Sequence, residues 1–117
     1  MPTVLVVDDE PLIVSFLEKG LRRHQYASEA ASSGELALEM ARSNQFDLML
    51  LDLGLPGISG LEVLAALRAD NQEMPVIVVT AGSEEDCQQA LALGANAYLQ
   101  KPFRFGELHQ IIQGFLP

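Results

Sequence analysis

Residues 48–57 constrain the fold more than any other stretch of this sequence. Four apolar residues, 48–51, are followed at once by Asp52 and then by a loop that contains Gly54, Pro56 and Gly57. The apolar run is too short for an ordinary helix, and the glycines and proline behind it predict a buried strand that ends in a loop. A carboxylate is costly to bury without a partner. Asp52 therefore marks either an exposed end of the strand or a functional site.

Five segments have strand character, and helical patterns separate them. The apolar, β-branched runs at 3–7 and 76–80 are the clearest, and segments 26–31, 46–51 and 97–100 complete the set. The predicted helices cover 11–24, 32–44, 60–70, 84–93 and 105 or 106 to 115. Alternating strands and helices predict an α/β fold, with a parallel sheet that has helices on both faces.

Capping residues indicate where these helices begin. Pro11 suits the first position of a helix. Ser32 with Glu35, and Ser59 with Glu62, have the spacing of a capping box, in which each side chain bonds to the other residue's backbone N–H. We therefore expect capping boxes at the starts of the second and third helices.

Length, charge and cysteine usage limit the classes of function. With 117 residues, 49% of them hydrophobic, the chain is expected to form one globular domain over residues 1–117, with no second domain. A net charge of −9 disfavours direct nucleic-acid binding. No apolar run is long enough for a membrane span, and no signal peptide is recognisable. The single cysteine, Cys87, suits a reducing compartment, so we expect a cytoplasmic protein.

Polar side chains follow four of the five predicted strands. In a doubly wound α/β sheet the functional crevice lies beyond the carboxyl ends of the strands. The residues expected at that edge are Asp8, Asp9, Asp52, Thr80, Ala81 and Lys101. Taken singly, each has an ordinary explanation, such as a helix cap, a strand end or a surface charge. Their joint position at four strand ends predicts a site.

The chemistry of this group favours phosphoryl transfer. Three crowded carboxylates repel one another unless a cation, a metal or a raised pKa relieves them. Carboxylate oxygens suit Mg²⁺, which also binds phosphate oxygens. A carboxylate can act as a nucleophile, and the ammonium of Lys101 and the hydroxyl of Thr80 can stabilise charge on a phosphoryl group.

Four motifs carry a resemblance to a known family. They are Val-Val-Asp-Asp-Glu-Pro at 6–11, Leu-Asp-Leu-Gly-Leu-Pro-Gly at 51–57, Val-Val-Thr-Ala at 78–81 and Tyr-Leu-Gln-Lys-Pro-Phe at 98–103. Together they resemble the receiver domain of two-component response regulators over the whole chain. The resemblance implies a flavodoxin-like fold, a five-stranded parallel sheet in the order 2-1-3-4-5 with five helices.

The resemblance also assigns roles to the acidic residues. Asp52 would be the phosphoacceptor in a phosphorelay, taking its phosphoryl group from a sensor histidine kinase or a histidine phosphotransfer protein. Asp9 would bind Mg²⁺, or Mn²⁺ in its place, directly, and Asp8 mostly through water. Asp52 and the backbone carbonyl of Gly54 would complete the protein ligands.

The remaining site residues would convert phosphorylation into a signal. Lys101 would pair with the acceptor and then with the phosphoryl group, beside which Ala81 leaves room. Thr80 would move to bond the phosphoryl oxygens, and Tyr98, otherwise a plain core aromatic, would swing inward behind it. The face formed by helix four, strand five and helix five would then change, and this change would control an output partner or domain. The sequence does not identify that partner or domain. Such a protein is a signalling domain, and any catalysis is limited to its own phosphorylation and dephosphorylation.

Helix one has more apolar residues than a single core stripe needs. Leu12, Phe16 and Gly20 form a ridge flanked by Lys19. Extra core packing is one explanation. The alternative, implied by the resemblance, is a docking stripe for the kinase or phosphotransfer protein, to which Pro102 would also belong.

Departures from the family pattern bear on assembly and on the lifetime of the phosphorylated state. The loop at 54–57 is similar to that of the winged-helix, DNA-binding branch, whose members often dimerise through charged pairs. Residues 94–97 and Gln100 lack the typical charges, so a monomer or a weak phosphorylation-dependent dimer is expected. Gly54 and Gly82, at positions that line the water path in the family, have no side chain to block or orient water.

Three alternatives compete with this interpretation. A haloacid dehalogenase-like phosphohydrolase would need a second carboxylate where Gly54 stands. A flavodoxin-type flavin binder would need a Gly-, Ser- and Thr-rich loop where Asp8, Asp9 and Glu10 stand. The third is a receiver-like domain that has lost phosphorylation and only mediates contacts.

Overall fold

A computed structural model describes residues 1–43 and 45–117 of the chain. Within these residues strands and helices alternate, five of each: β1 (Thr3–Val7), α1 (Pro11–Arg23), β2 (Ala27–Ala31), α2 (Gly34–Ala41), β3 (Leu48–Leu51), α3 (Gly60–Ala69), β4 (Val76–Thr80), α4 (Glu84–Ala92), β5 (Ala97–Gln100) and α5 (Phe105–Gln113). All neighbouring strands are parallel, in the order β2-β1-β3-β4-β5. The predicted fold class and strand order are confirmed.

The sheet has a hydrophobic core on each face because successive side chains of a strand point to opposite sides. On one side, Leu5 and Met49 belong to the cluster under α2, α3 and α4. On the other side, Val4 and Leu50 pack with Leu17 of α1 and with residues of α5. All five of these side chains are buried. The central strands are thus covered on both faces, as their continuous apolar sequence predicted.

Most element boundaries lie within two residues of the predicted ones. β1, β4 and β5 have the predicted bounds. β2 begins one residue later than predicted, and β3 begins at Leu48 rather than Phe46. α2 ends by Ala41, and its predicted end at Asn44 lies outside the described residues. Just before β3, Asp47 N–H donates a hydrogen bond to Thr3 O at 2.8 Å, which connects the chain to the start of β1.

The capping prediction is right for α3 and wrong for α2. Ser59 and Glu62 form the expected capping box at the start of α3. At α2 the N-cap is Ser33, whose Oγ accepts a hydrogen bond from Leu36 N–H at 3.1 Å, so no Ser32–Glu35 box forms. Adjacent serines offer the same hydroxyl one residue apart. Gly34, the residue after the cap, lies directly against Ile58 in the first turn.

None of the helices in the described part of the chain has both the length and the apolar character that a bilayer crossing requires. The longest of them, α1, carries charged residues along its solvent side and ends with Arg22 and Arg23. Basic residues in the last turn are favourable there because they face the negative end of the helix dipole.

Candidate functional site

The strand ends bring the predicted polar residues to one edge of the sheet. Val7 of β1 pairs with Leu51 of β3, which pairs with Val78 of β4, so Asp8 and Asp52 follow neighbouring strands at the same level. Thr80 ends β4, and Lys101 follows β5 directly. Parallel strands end at a common edge, and this geometry collects the side chains there.

Lys101 is the cationic centre of this edge. Its Nζ lies 2.8 Å from Asp8 Oδ2, 3.7 Å from Asp52 Oδ2 and 3.8 Å from Glu10 Oε1. The residues Asp8 and Asp52 are only 3% and 6% exposed. One ammonium group therefore neutralises part of the charge of two buried carboxylates, which would otherwise repel each other at close range.

The surroundings of Lys101 keep it protonated. Burial alone lowers the pKa of its ammonium, but the hydrogen bond to Asp8 and the charges of Asp52, Asp8 and Glu10 outweigh that effect. The net result is a pKa above the ordinary lysine value. Lys101 is therefore a fixed positive charge at any physiological pH, available to a phosphoryl group that enters beside Asp52.

Asp8, Glu10 and Asp52 form a group of oxygen donors. One carboxylate oxygen from each lies within 4.8 Å of the others. A set of hard oxygen ligands suits Mg²⁺ or Mn²⁺ in donor type and charge, and a bound divalent cation would relieve their repulsion. Glu10 was not among the predicted ligands. The signal that could have identified it is its spacing from Asp8, since residues two apart on extended backbone share a side.

Asp9 lies apart from this group. Its side chain is exposed, and it lines a neighbouring cleft together with Ser15 and Ser32. The backbone N–H of Glu10 donates to Asp8 Oδ1 at 2.9 Å, which turns the chain so that residues 8 and 10 face Lys101. The assignment of Asp9 as a direct metal ligand stays a prediction.

Asp52, the predicted acceptor, lines an open cleft of about 340 Å³. The predicted residues Asp52, Gly54, Thr80, Ala81 and Lys101 line it, along with Glu10, Leu53, Leu61, Gly82 and Asp86. Backbone N–H groups bond to two of these side chains. Gly54 N–H donates to Asp52 Oδ1 at 3.3 Å, and Gly82 N–H donates to Thr80 Oγ1 at 3.1 Å. Sequence reasoning did not identify Asp86, because its place in the cleft depends on how α4 is oriented.

Two side chains of β5 connect it to the segment that begins α4. Tyr98 donates its hydroxyl hydrogen bond to Glu84 Oε1. This bond raises the pKa of the tyrosine, and it lowers the pKa of Glu84. Gln100 Nε2 donates to the carbonyl oxygen of Gly82 at 2.9 Å. The inward position of Tyr98 was predicted for the phosphorylated state, and its role as a switch stays a prediction.

Comparison with protein families decides what kind of site this is. Residues 4–113 match the family model of the response regulator receiver domain. The chain belongs to this family. Membership sets aside the hydrolase and flavin-binding alternatives, while a receiver domain that only mediates contacts remains to be tested.

Known relatives place this receiver domain among response regulators. It is 40% identical to "Response regulator ArlR" of Staphylococcus saprophyticus over 117 residues, which is 99% of this chain and 53% of the relative. It is also 40% identical to the "Alkaline phosphatase synthesis transcriptional regulatory protein PhoP" of Bacillus subtilis over 114 residues, 97% of this chain and 48% of the relative. The chain thus spans about half the length of these relatives. The transcriptional regulators among them agree with the winged-helix branch that the loop predicted.

A solved receiver structure shows the same fold. The response regulator TrrA of Thermotoga maritima, in complex with Mg(2+)-BeF, superposes with a TM-score of 0.91 at 37% identity, covering 99% of this chain and all of that one. Cation and beryllofluoride are properties of that complex. For this receiver domain the likeness establishes the arrangement of strands and helices around the cleft.

The predicted docking residues separate into two groups. Leu12 is 85% exposed and Phe16 is 41% exposed. Phe16 packs edge-on against Phe103, and Pro102 is exposed next to it. Gly20, in contrast, is buried, and a Cβ there would come within 2.3 Å of the Phe105 ring. The ridge predicted to include Gly20 therefore ends at Phe16, because Phe105 closes over the glycine; whether Leu12, Phe16, Lys19 and Pro102 dock a partner stays a prediction.

Proposed function

We propose that Asp52 of this receiver domain accepts a phosphoryl group from a phosphohistidine of a sensor histidine kinase or a histidine phosphotransfer protein. The observation that supports this most strongly is the position of Lys101 Nζ, 3.7 Å from Asp52 Oδ2 at the mouth of an open cleft. A buried carboxylate with an adjacent fixed cation and room for a ligand is suited to be an acceptor. A merely structural ion pair would not need the cleft.

The transfer breaks the phosphorus–nitrogen bond of the donor and forms a phosphorus–oxygen bond to Asp52. The carboxylate oxygen is the nucleophile, and the histidine nitrogen is the leaving group. Lys101 stabilises charge on the phosphoryl oxygens, and the cleft positions the incoming group. Asp8, Asp52, the carbonyl of Gly54, and Asp9 or Glu10 would hold Mg²⁺ or Mn²⁺, which supplies further positive charge to the phosphoryl oxygens when bound.

Phosphorylation would alter the α4–β5–α5 face through two hydrogen bonds. Thr80 Oγ1 now accepts from Gly82 N–H, and the Tyr98 hydroxyl bonds to Glu84. A phosphoryl group on Asp52 offers Thr80 a stronger, charged acceptor. If Thr80 turns towards it, the Gly82 N–H loses its acceptor and space opens for Tyr98 to move inward. The hydrogen bonds of Thr80 with Gly82 and of Tyr98 with Glu84 then change together.

The output we propose is a changed binding surface rather than a chemical product. The named relatives are response regulators and transcriptional regulators. The receiver domain would act in the cytoplasm, as a monomer or weak phosphorylation-dependent dimer, and control an output domain or partner. It would not bind nucleic acid itself, in keeping with its net charge of −9.

Incubation with acetyl phosphate and Mg²⁺, followed by intact-mass measurement, tests this proposal. We expect one phosphoryl adduct on the wild-type chain, no adduct on Asp52→Asn, and loss of the reaction when the metal is chelated. Glu35→Gln, which neutralises an exposed carboxylate of α2, is the matched control and should be phosphorylated normally. The absence of an adduct on the wild-type chain would favour the contact-only alternative.

A further inference from the structure

The cleft beside Asp52 contains a carboxylate that the phosphoacceptor mechanism does not use. Asp86 belongs to the first turn of α4 and lines the cleft with Thr80, Gly82 and Lys101. The two other acidic residues of that turn, Glu84 and Glu85, are exposed and do not line the cleft. Asp86 thus differs from its neighbours in lining the cleft that Asp52 also lines.

The α4 capping box holds the Asp86 carboxylate in place. Asp86 N–H donates to Ser83 Oγ at 3.1 Å, and Ser83 N–H donates to Asp86 Oδ2 at 3.1 Å. Reciprocal bonds of this kind fix both side chains. Within the described part of the chain no hydrogen bond engages Oδ1 of Asp86, so one carboxylate oxygen is available to a water molecule.

Gly82 opens the space between this carboxylate and the threonine of the site. A Cβ at Gly82 would stand 3.0 Å from Asp86 Oδ2 and 3.4 Å from Thr80 Oγ1. Asp86 and Thr80 therefore border one small volume, which any residue larger than glycine would begin to fill. Gly54 and Gly82 have no side chain there to orient water, and Asp86 reaches the same cleft from α4.

We propose that Asp86 positions the water molecule that hydrolyses phosphorylated Asp52, and so shortens the lifetime of the signal. This inference rests on the proposed role of Asp52 as the acceptor. The water oxygen forms a bond to phosphorus while the bond from phosphorus to the Asp52 oxygen breaks. Asp52 leaves as a carboxylate, one proton of the water molecule is released to solvent, and inorganic phosphate is the product.

The charge of Asp86 supports a role towards water. A carboxylate accepts hydrogen bonds only, so it orients a water molecule with its oxygen lone pairs directed away, towards the phosphorus atom. Direct contact with an anionic phosphoryl group would be repulsive. Asp86 is therefore a positioning residue. Because only hydrolysis uses water as the nucleophile, phosphorylation from acetyl phosphate should be independent of it.

The test compares the rates of phosphorylation and of hydrolysis in two variants, Asp86→Asn and Glu85→Gln. Each substitution removes one negative charge from the same helix turn, and the amide introduced by Asp86→Asn retains an acceptor oxygen for Ser83 N–H. Both variants and the wild-type chain are phosphorylated with acetyl phosphate, freed of donor and followed by intact mass. We expect Asp86→Asn to lose its phosphoryl group about tenfold more slowly, below the full effect of a general base, with an unchanged rate of phosphorylation. Glu85→Gln should match the wild type in both rates.

A second variant tests the geometry while both side chains of the capping box, Ser83 and Asp86, are kept. Gly82→Ala fills the volume that Asp86 and Thr80 border, and it should also slow hydrolysis. Equal decay rates in Asp86→Asn and the wild type would overturn the inference, as would equal slowing in Glu85→Gln, which would indicate a general charge effect. A wild-type chain that forms no adduct would contradict the acceptor role of Asp52 itself and the inference with it.

Discussion

Lys101 shows at the residue scale how the site depends on charge balance. Its ammonium lies among three carboxylates, two of which are almost completely buried. Removing one partner of a buried ion pair leaves an uncompensated charge, which is more destabilising than the pair is stabilising. The same residue therefore contributes to folding and, in the proposed mechanism, to phosphoryl transfer.

Replacing Lys101 by methionine should lower the free energy of unfolding by about 3 kcal/mol in the absence of divalent cations, because Asp8 and Asp52 lose their shared cation. Added Mg²⁺ should restore part of this loss. Urea unfolding with and without Mg²⁺ measures both effects. The matched control is Lys19→Met, which removes the other, exposed lysine; an equal loss in that variant would contradict the account.

The metal ligands can be distinguished by binding measurements on single variants. We expect Asp52→Asn and Asp9→Asn each to weaken Mg²⁺ binding about tenfold or more, since each would remove a charged direct ligand. Under the ligand assignment predicted from the sequence, Glu10→Gln should have a smaller effect, because that assignment makes Asp9 and not Glu10 the direct ligand. Isothermal titration with Mg²⁺ gives the affinities, and a larger loss in Glu10→Gln than in Asp9→Asn would transfer the ligand role to Glu10.

At the scale of elements, the start of a helix depends on a single hydroxyl group. Ser33 caps α2, whereas Ser32 is exposed and does not. Ser33→Ala should lower the free energy of unfolding by about 1 kcal/mol, because Leu36 N–H loses its partner. Ser32→Ala, the adjacent control, should change it little. Denaturant midpoints measure the difference, and the reverse order would restore the cap predicted from the sequence.

The contact between α1 and α5 contains a pair of stacked histidines. The ring centroids of His24 and His109 lie 3.7 Å apart. Burial, and secondarily the charge of His24, lower the pKa of His109 below 6.5 in the folded protein. The unfolded chain then binds the proton more readily, so this contribution to stability is present above pH 6.5 and is lost as the pH falls from there through the lower pKa of folded His109.

We therefore expect the melting temperature to decrease as the pH is lowered from neutral to the pKa of folded His109. His109→Gln should reduce that decrease. Scanning calorimetry from pH 7.5 down to about 5.5, just below the ordinary histidine pKa, measures it. His24→Gln should reduce the fall less, because His24 is only the secondary cause. An unchanged pH profile in His109→Gln would show that carboxylates elsewhere control stability in this range.

For the whole molecule, the sequence predicts the architecture better than the site. Continuous apolar runs made β1, β3 and β4 predictable. The polar residues that follow these strands meet because parallel strands end at a common edge of the sheet. Glu10 could have been predicted from its spacing to Asp8. Asp86 could not, since the direction of a side chain in a helix cap depends on packing between elements. Gly20 was misjudged for the same reason, because Phe105 is distant in sequence yet covers it.

The whole molecule is proposed to function by forming an acyl phosphate on one residue, and borohydride reduction tests this most directly. Borohydride converts an aspartyl phosphate into homoserine, which peptide mass spectrometry locates. After treatment with acetyl phosphate and Mg²⁺, we predict homoserine at position 52 and at no other aspartate, and none in Asp52→Asn. Homoserine at position 8 or 9, or its absence from a chain that carries the adduct, would contradict the account.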